Sequence, residues 1–367
     1  MCRLTYRFRV YPTKAQVTVL DRALNICCDV YNSLVNERTA LYEIVGKSPD
    51  YYAQKKEIAT WKPQHPELTL VHSQVLQDVC KRVDLAFQSF FRRVKSGEEP
   101  GYPRFRGKGW YDSLTYPQYG KGCEIRNGVL WLSKIGEVKI KLHRPIMGEI
   151  KTCSLRRLNN KWFACFSVDA DAERLPESAE RIGVDVGIEN FATLSDGSKI
   201  ANPRFFRNEE AALAKSQRKL SKQAKGSKER RKARKVVVRV HERIRNRRHD
   251  FVHQTARRLV NKYGVIAVED LNVKGMLKHH SLAKSTSDAS WSMFRSVLAS
   301  KAENAGRRVE AVEPAYTSQD CSMCGFRVKK KLSERIHSCP NCGLVLDRDH
   351  NAAINILNAV GQHSDAG

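Results

Sequence analysis

The first eleven residues alternate between apolar and basic. Leu4, Tyr6, Phe8 and Val10 fall on one side of an extended chain, and Arg3, Arg7 and Arg9 on the other. That period predicts a half-buried strand whose basic face can lie along a phosphate backbone. Pro12 and Thr13 end it. Thr13 and Gln16 have the spacing of a capping box, and Val17, Leu20, Leu24, Cys27, Tyr31 and Leu34 follow at helical intervals, so a long amphipathic helix is expected. Residues 72–96 predict a second helix, closed by Arg92, Arg93 and Lys95. Residues 97–121 lose all periodicity and mix Gly and Pro with Tyr102, Phe105, Trp110 and Tyr116. Arg104, Arg106 and Lys108 are interleaved with these rings, a mixture that suits base stacking beside phosphate contacts and equally suits rings packed under a loop. From 122 to 170, Val129–Leu132, Glu137–Leu142 and Trp162–Val168 read as short strands between turns. The N-terminal half is therefore expected to be a β-barrel-like module with a helical insertion, ending in the polar, Pro-containing stretch 172–180.

The second half reads differently. RIGVDVGIENFATLS, from Arg181, predicts two strands, and GVIAVEDLN, from Gly264, predicts a short buried one. Between them lies a basic run leading into a helix marked by Val237, Val240, Ile244, Phe251, Thr255 and Leu259. LDRDHNAAINIL, from Leu346, opens a last helix. Strands alternating with helices make this half α/β. No internal repeat is evident.

Charge changes the picture more than overall composition does. The 367 residues carry 65 Lys and Arg against 39 acids, a net charge of +26. Residues 215–248 hold sixteen Lys or Arg against Glu229 and Glu242, about +14 of that excess by direct count. Like charges this dense repel along a helix, so a polyanion is the natural counterweight. Lys222, Arg230, Arg231, Arg234, Lys235, Arg243 and Arg247 are the candidate phosphate contacts of this run. No long apolar segment or lipidation motif points to a membrane, and no secretory signal is seen. A reducing cytoplasm is expected, with Cys2, Cys27, Cys28, Cys80, Cys123, Cys153 and Cys165 as free thiols, mostly core filler.

Four other cysteines are paired. Cys321 and Cys324, then Cys339 and Cys342, form two Cys-x-x-Cys-Gly turns separated by 14 residues. Two such turns supply a tetrahedral four-thiolate shell for one zinc ion. Gly325 and Gly343 let the backbone curl over the sulfur. A full thiolate shell leaves no open position, so this zinc is structural. Lys329, Lys330, Lys331 and Arg335, between the turns, would present charge to nucleic acid.

Chemistry must then come from carboxylates. Along the strand from Arg181, Ile182, Val184 and Val186 point one way, and Gly183, Asp185 and Gly187 the other. In the strand from Gly264, alternation puts Glu269 on the face of Val265 and Ala267, leaving Asp270 to cap the next turn. Asp349 stands four, seven and eight residues before Ala353, Ile356 and Leu357, hence on the inward face of its helix. Asp347 aligns with Asn351 and Asn355, a wetter face. Asp185, Glu269 and Asp349 thus sit at a strand, a strand end and a helix start, the order of an RNase H-like nuclease. Mg²⁺ takes such hard oxygen ligands. Two ions about 4 Å apart can activate a water and stabilise the leaving oxygen of a phosphodiester.

FRVYPT, GYPRF, GVDVGIENFATLS, VEDLN, YTSQDCSMCG, CPNCG and DRDHNAAINI together resemble TnpB (OrfB), the insertion-sequence family related to the type V CRISPR effectors. The resemblance spans nearly the whole chain. It implies an RNA-guided DNA endonuclease with a RuvC nuclease domain, in which Asp185, Glu269 and Asp349 hold two catalytic Mg²⁺ ions. Its partners would be a guide RNA from the transposon end and a target DNA, with no obligate protein partner and a nucleoid location when on DNA. The implied layout is a wedge module in two parts (1–50, where the helical recognition region also begins, and 101–177) around that region at 51–100. A RuvC-like nuclease would follow at 178–316, then the zinc ribbon at 317–346, the last RuvC helix at 347–360 and a disordered tail at 361–367. Two other readings share these features, a nuclease-inactive RNA-guided regulator and a transposase that joins DNA ends.

Overall fold

The computed structural model describes residues 2–276, 283–331 and 334–361. The tail expected to be disordered lies, from residue 362, outside the described residues. The chain forms two compact units, 1–171 and 172–367.

The first unit contains β1 (Cys2–Tyr11), α1 (Lys14–Val45), α2 (Tyr51–Trp61), α3 (Ser73–Lys95), β2 (Ser113–Tyr116), β3 (Cys123–Arg126), β4 (Val129–Leu132), β5 (Gly136–Lys141), β6 (Glu149–Leu158) and β7 (Lys161–Ala170). Its strands make one antiparallel sheet in the order β2-β6-β7-β1-β5-β4-β3. β2 and β3 follow one another in the chain yet lie at opposite edges, so the sheet curls toward closure. Tyr119, between them, ties both sides of the seam. Its N–H donates to the Lys151 carbonyl at 3.0 Å, and its hydroxyl accepts from the Ile125 N–H at 2.8 Å.

The opening pattern is realised as read. Tyr6, Phe8 and Val10 are buried, and Thr13 and Gln16 form the reciprocal cap, each side chain accepting from the other's backbone N–H at 3.2 and 2.9 Å. Helix α1 runs eleven residues past the last apolar position that predicted it, to Val45. The basic face of β1 is partly spoken for. Arg3 is paired with Asp169 at 2.8 Å, and the guanidinium groups of Arg7 and Arg9 lie 5.3 and 5.2 Å from the ring centre of Phe163. Cys27, Cys28, Cys80, Cys123 and Cys153 are buried free thiols, as expected of core filler; Cys2 and Cys165 are half-buried.

The second unit is built on β8 (Arg181–Val186), β9 (Asn190–Leu194), β10 (Lys199–Ala201), β11 (Val265–Glu269) and β12 (Arg308–Val312), in the order β10-β9-β8-β11-β12. β8, β11 and β12 are parallel; β9 and β10 are antiparallel additions. Its helices are α4 (Phe205–Ser221), α5 (Lys228–Lys262), α6 (Val273–Met276), α7 (Ala283–Ala289), α8 (Trp291–Ala305) and α9 (Arg348–Gly361), and β13 (Ile336–Ser338) pairs with β14 (Val345–Asp347). Ile182, Val184, Ile266 and Val268 pack against α5 and α8, whereas Ala267 and Val312 meet Ile356 and Val360 of α9 on the opposite face. Beside Asp185, the room that Gly183 leaves is filled by backbone: a Cβ there would stand 2.0 Å from the Ala353 carbonyl oxygen of α9. Only glycine lets that helix lie so close to the sheet.

The basic run is two helices rather than one. It turns at 222–227, and the Arg230 guanidinium closes the end of α4 by donating to the carbonyls of Leu220 and Gln223 at 3.0 and 2.7 Å. This answers the unsatisfied carbonyls of a helix end.

Candidate active site and paired cysteine turns

The four cysteines form two matching turns. In each, the glycine after the second cysteine has a positive φ, 75° at Gly325 and 76° at Gly343, which a side chain would strain. Its N–H returns to the carbonyl of the first cysteine, at 2.8 Å on Cys321 and 3.0 Å on Cys339. All four sulfurs lie within 4.8 Å of one another, and no other three Cys, His, Asp or Glu among the described residues bring ligand atoms that close together. The Cys324 thiol is pulled down to about 6, chiefly by the Asn341 side chain and then by the Phe326 backbone. A closed set of soft thiolate donors fits zinc. His337 is buried beside this set, where its Nδ1 contacts the Lys330 ammonium.

The acids are assembled by sheet register. β8 and β11 pair in parallel through Val184 and Val268, and one step further along the same ladder brings Asp185 beside Glu269. Residues paired in register share a face, and here it is the face under α9. Asp349, in the first turn of α9, completes the group from above. The proximity shows in the electrostatics. Burial first, then the negative charges of Glu269 and Asp349, push the Asp185 carboxyl well above the ordinary range. Burial also raises Glu269, opposed by the Thr317 hydroxyl, which donates to its Oε1 at 2.6 Å. Three inward-facing acids that disfavour one another's charge, with two raised, are a set that divalent cations relieve.

Cations of the chain already approach Asp349. Arg348 donates to its Oδ1 through Nε at 3.1 Å and Nη2 at 2.9 Å. Arg335, from the segment between the two cysteine turns, stands 3.9 Å from Asp349 and 3.5 Å from Glu189. Neither Thr317 nor Arg348 carried a signal in the linear pattern. Thr317 meets Glu269 only in the folded chain, whereas Arg348 directly precedes its partner Asp349.

Several expectations need correction. Asp270 does not cap the following turn; its carboxylate pairs with Arg295. Asn351 and Asn355 are not on a wet face. Asn351 is fully buried, accepting from the Ser322 N–H at 2.9 Å and donating to the Asp320 carbonyl at 2.8 Å. Asn355 donates to the carbonyls of Thr317 and Asp320 at 2.8 and 2.7 Å. Apolar periodicity is blind to such amides, because an asparagine satisfied by backbone is as much a core residue as leucine. Asp347 is the helix cap, accepting from the N–H groups of Asp349 and His350 and pairing with Lys199 at 2.7 Å. Lys330 is turned inward, donating to the Ser318 carbonyl at 3.1 Å, whereas Lys329 and Lys331 are exposed. Arg243 and Arg247 flank the buried Glu209 at 3.1 and 3.4 Å. Lys222, Arg231, Arg234 and Lys235 are exposed along α5 and the turn before it, as are Arg104 and Arg106 in the first unit.

Known sequences and structures resemble the chain along its length. The family described as "Probable transposase" (OrfB of IS605) matches residues 163–280, "Cas12f1-like, TNB domain" matches 291–356, and a "Helix-turn-helix domain" of the same OrfB group matches 1–47. Residues 2–45 form one strand and one unbroken helix in this chain. A protein of Streptomyces pristinaespiralis named "Putative RNA-guided DNA endonuclease" is 35% identical over 363 residues, covering 96% of this chain and 88% of its own. InsQ of Escherichia coli K12, which carries the same description, is 29% identical over 373 residues, covering 96% and 91%. The solved mini-RNA-guided endonuclease CRISPR-Cas_phi3 shares the fold at a TM-score of 0.55 with 9% identity, over 98% of this chain and 92% of that one. No helix among the described residues is long and apolar enough to cross a membrane. The length and identity of these matches establish that the chain belongs to the TnpB (OrfB) family of insertion-sequence endonucleases.

Proposed function

We propose that this endonuclease is RNA-guided and cuts DNA at a two-metal, RuvC-type site formed by Asp185, Glu269 and Asp349, with the four-cysteine turns holding a structural zinc ion. One observation carries the reading: two acids end adjacent parallel strands and a third begins the helix over them, on one face of one sheet. That is the arrangement expected of an RNase H-like nuclease. Mg²⁺, when bound there, supplies a water of lowered pKa and charge stabilisation for the leaving oxygen.

The chain's own groups do the rest. Thr317 orients Glu269 and favours its charged form. Arg348 turns Asp349 inward. Arg335 is long enough, and exposed enough, to exchange its acidic neighbours for a phosphate oxygen. Lys222, Arg231, Arg234 and Lys235 offer sequence-independent phosphate contacts, and Arg7 and Arg9 add a second basic surface on the first unit. On this reading a guide RNA transcribed from the transposon end selects the DNA target by base pairing, and the protein contacts the backbone.

The test is to purify the chain with its copurifying RNA, sequence that RNA, and offer a matching DNA with Mg²⁺. Cleavage that Asp185→Ala abolishes while guided binding persists supports the proposal. Tight guided binding without cleavage would favour a nuclease-inactive regulator, and strand-transfer products formed without RNA would favour a transposase.

A further inference from the structure

The loop between α3 and β2 has an unusual distribution of its aromatic side chains. Tyr111 is buried, and Tyr102 is held, its hydroxyl 3.1 Å from Thr39 Oγ1 and its ring edge-on to Phe87 and Phe90. Trp110 and Phe105 instead stand 78% and 62% exposed. Their backbone is not loose. The side chain of Asn32 on α1 brackets the Arg106 peptide, accepting its N–H at 2.8 Å and donating to its carbonyl at 2.9 Å. The Cys28 thiol reaches the same carbonyl at 3.2 Å. The Trp110 N–H donates to the Gly107 carbonyl at 3.0 Å, and the indole lies over Gly107, where an added Cβ would be 3.3 Å from its ring. Two large rings are thus fixed in water by a fastened loop, which packing alone does not require.

The charge interleaved with them in the chain is positive. Arg104, Arg106 and Lys108 alternate with the rings, and no acid occurs between Pro100 and Tyr111. Asp29 of α1 is the acid facing this row, in an exposed pair with Lys108 at 3.6 Å that contributes little. We infer that residues 104–110 are a base-stacking platform. Trp110 and Phe105 receive the faces of unpaired nucleobases, and Arg104, Arg106 and Lys108 hold the adjoining phosphates. Exposed, pre-fixed rings beside cations are the means by which proteins hold single strands without reading their sequence. The inference shares with the proposed function the need to bind nucleic acid, but not the need to cut it.

The test uses the full chain in EDTA, so that cleavage plays no part, with single-stranded RNA and DNA oligonucleotides of about twelve nucleotides carrying a central 2-aminopurine. Salt is set high enough to suppress binding through phosphates alone. The native chain should quench the probe. Trp110→Ala should weaken binding on the order of five- to a hundredfold, the range of one lost stacking contact, and lose most of the quench. Its salt dependence should stay unchanged, because the phosphate contacts remain, and Trp110→Phe should recover most of the affinity. Arg104→Ala should instead flatten the salt dependence and keep the quench. The oligonucleotide showing the larger effect identifies the strand as RNA or DNA. Unaltered affinity and quench in Trp110→Ala with both oligonucleotides would overturn the inference. So would a substitution that leaves them intact and shifts the sedimentation of the protein, which would make the rings a protein-binding surface.

Discussion

The four cysteines and the three acids sit in the same unit and are assembled in opposite ways. The cysteine turns are local: each needs only a glycine at positive φ and one backbone hydrogen bond, and their strands β13 and β14 are three residues each. The acids come from two strands and a helix distant in sequence, and meet only because β8 and β11 pair in one register and Gly183 lets α9 close over them. A local site can be lost without disturbing the sheet; a site made by register cannot be lost locally without losing its chemistry. Yet the two are joined. Thr317, just before the first turn, bonds Glu269, while Asn351 and Asn355 of the helix that carries Asp349 fasten residues 317–322. The cysteine-bearing segment therefore braces both acids and approaches one of them, Asp349, with Arg335.

The largest expected effect separates chemistry from bracing. Asp185→Ala or Glu269→Ala should lower DNA cleavage by about a thousandfold or more, since a metal site supplies several kcal/mol of the barrier reduction. Zinc content and guided binding should stay at the native level. Elemental analysis and a cleavage time course check this. Residual cleavage above one tenth of native in both variants would break the assignment of the acids.

Cys321→Ser tests the join from the other side. It should cost the zinc ion and, through the released Thr317 and Arg335, lower cleavage by on the order of tenfold to a hundredfold, the scale of a small misplacement of reacting groups. The sheet should stay folded, because none of its core lies in the cysteine-bearing segment. Full activity in a zinc-free protein would reduce the cysteine turns to a bystander. Asn351→Ala sharpens the comparison further. It leaves the Ser322 N–H without its partner, which should cost about 1–3 kcal/mol, while the Asp320 carbonyl keeps its bond from Asn355. The variant should keep its zinc and still cut more slowly. Loss of zinc from Asn351→Ala would show that the turns depend on α9 for their own shape.

The difference between the sites also explains what could be read in the chain. Both Cys-x-x-Cys-Gly turns were legible to the residue, because all their determinants lie within a few positions. Alternation separates Glu269 from Asp270, which pairs outward with Arg295 in the folded chain. Helical spacing sets Asp347 on a wet face that the folded chain does not have, and Asp347 instead caps the helix. The supporting groups were not legible. Nothing within ten residues of Thr317 marks it as the partner of a carboxylate on β11. Asn351 reads as polar and is core. The basic faces were overread for a related reason: composition counts charges, but Arg3, Arg230, Arg243, Arg247 and Lys330 spend theirs, wholly or in part, on partners within the chain.

The smallest effect concerns the cost of building the acid site before its metal arrives. Asp185 is raised well above its ordinary range by burial and by Glu269 and Asp349. A raised carboxyl binds its proton more tightly in the folded state than in the unfolded one. Stability is therefore lost as pH rises from the ordinary Asp range through the folded value, and the penalty is in full force above it. Asp185→Asn removes that ionisation. In EDTA near neutral pH the variant should melt higher than the native chain, by about 2–4 °C for each kcal/mol of relieved charge. The gap should close as pH falls below the ordinary Asp range, where both side chains are neutral. Mg²⁺ should reverse the order, because it stabilises the native acids and finds one ligand fewer in the variant. Equal melting temperatures with and without Mg²⁺ at neutral pH would mean that the three carboxylates do not share a field. The cysteine turns would then be the only prepared metal site among the described residues.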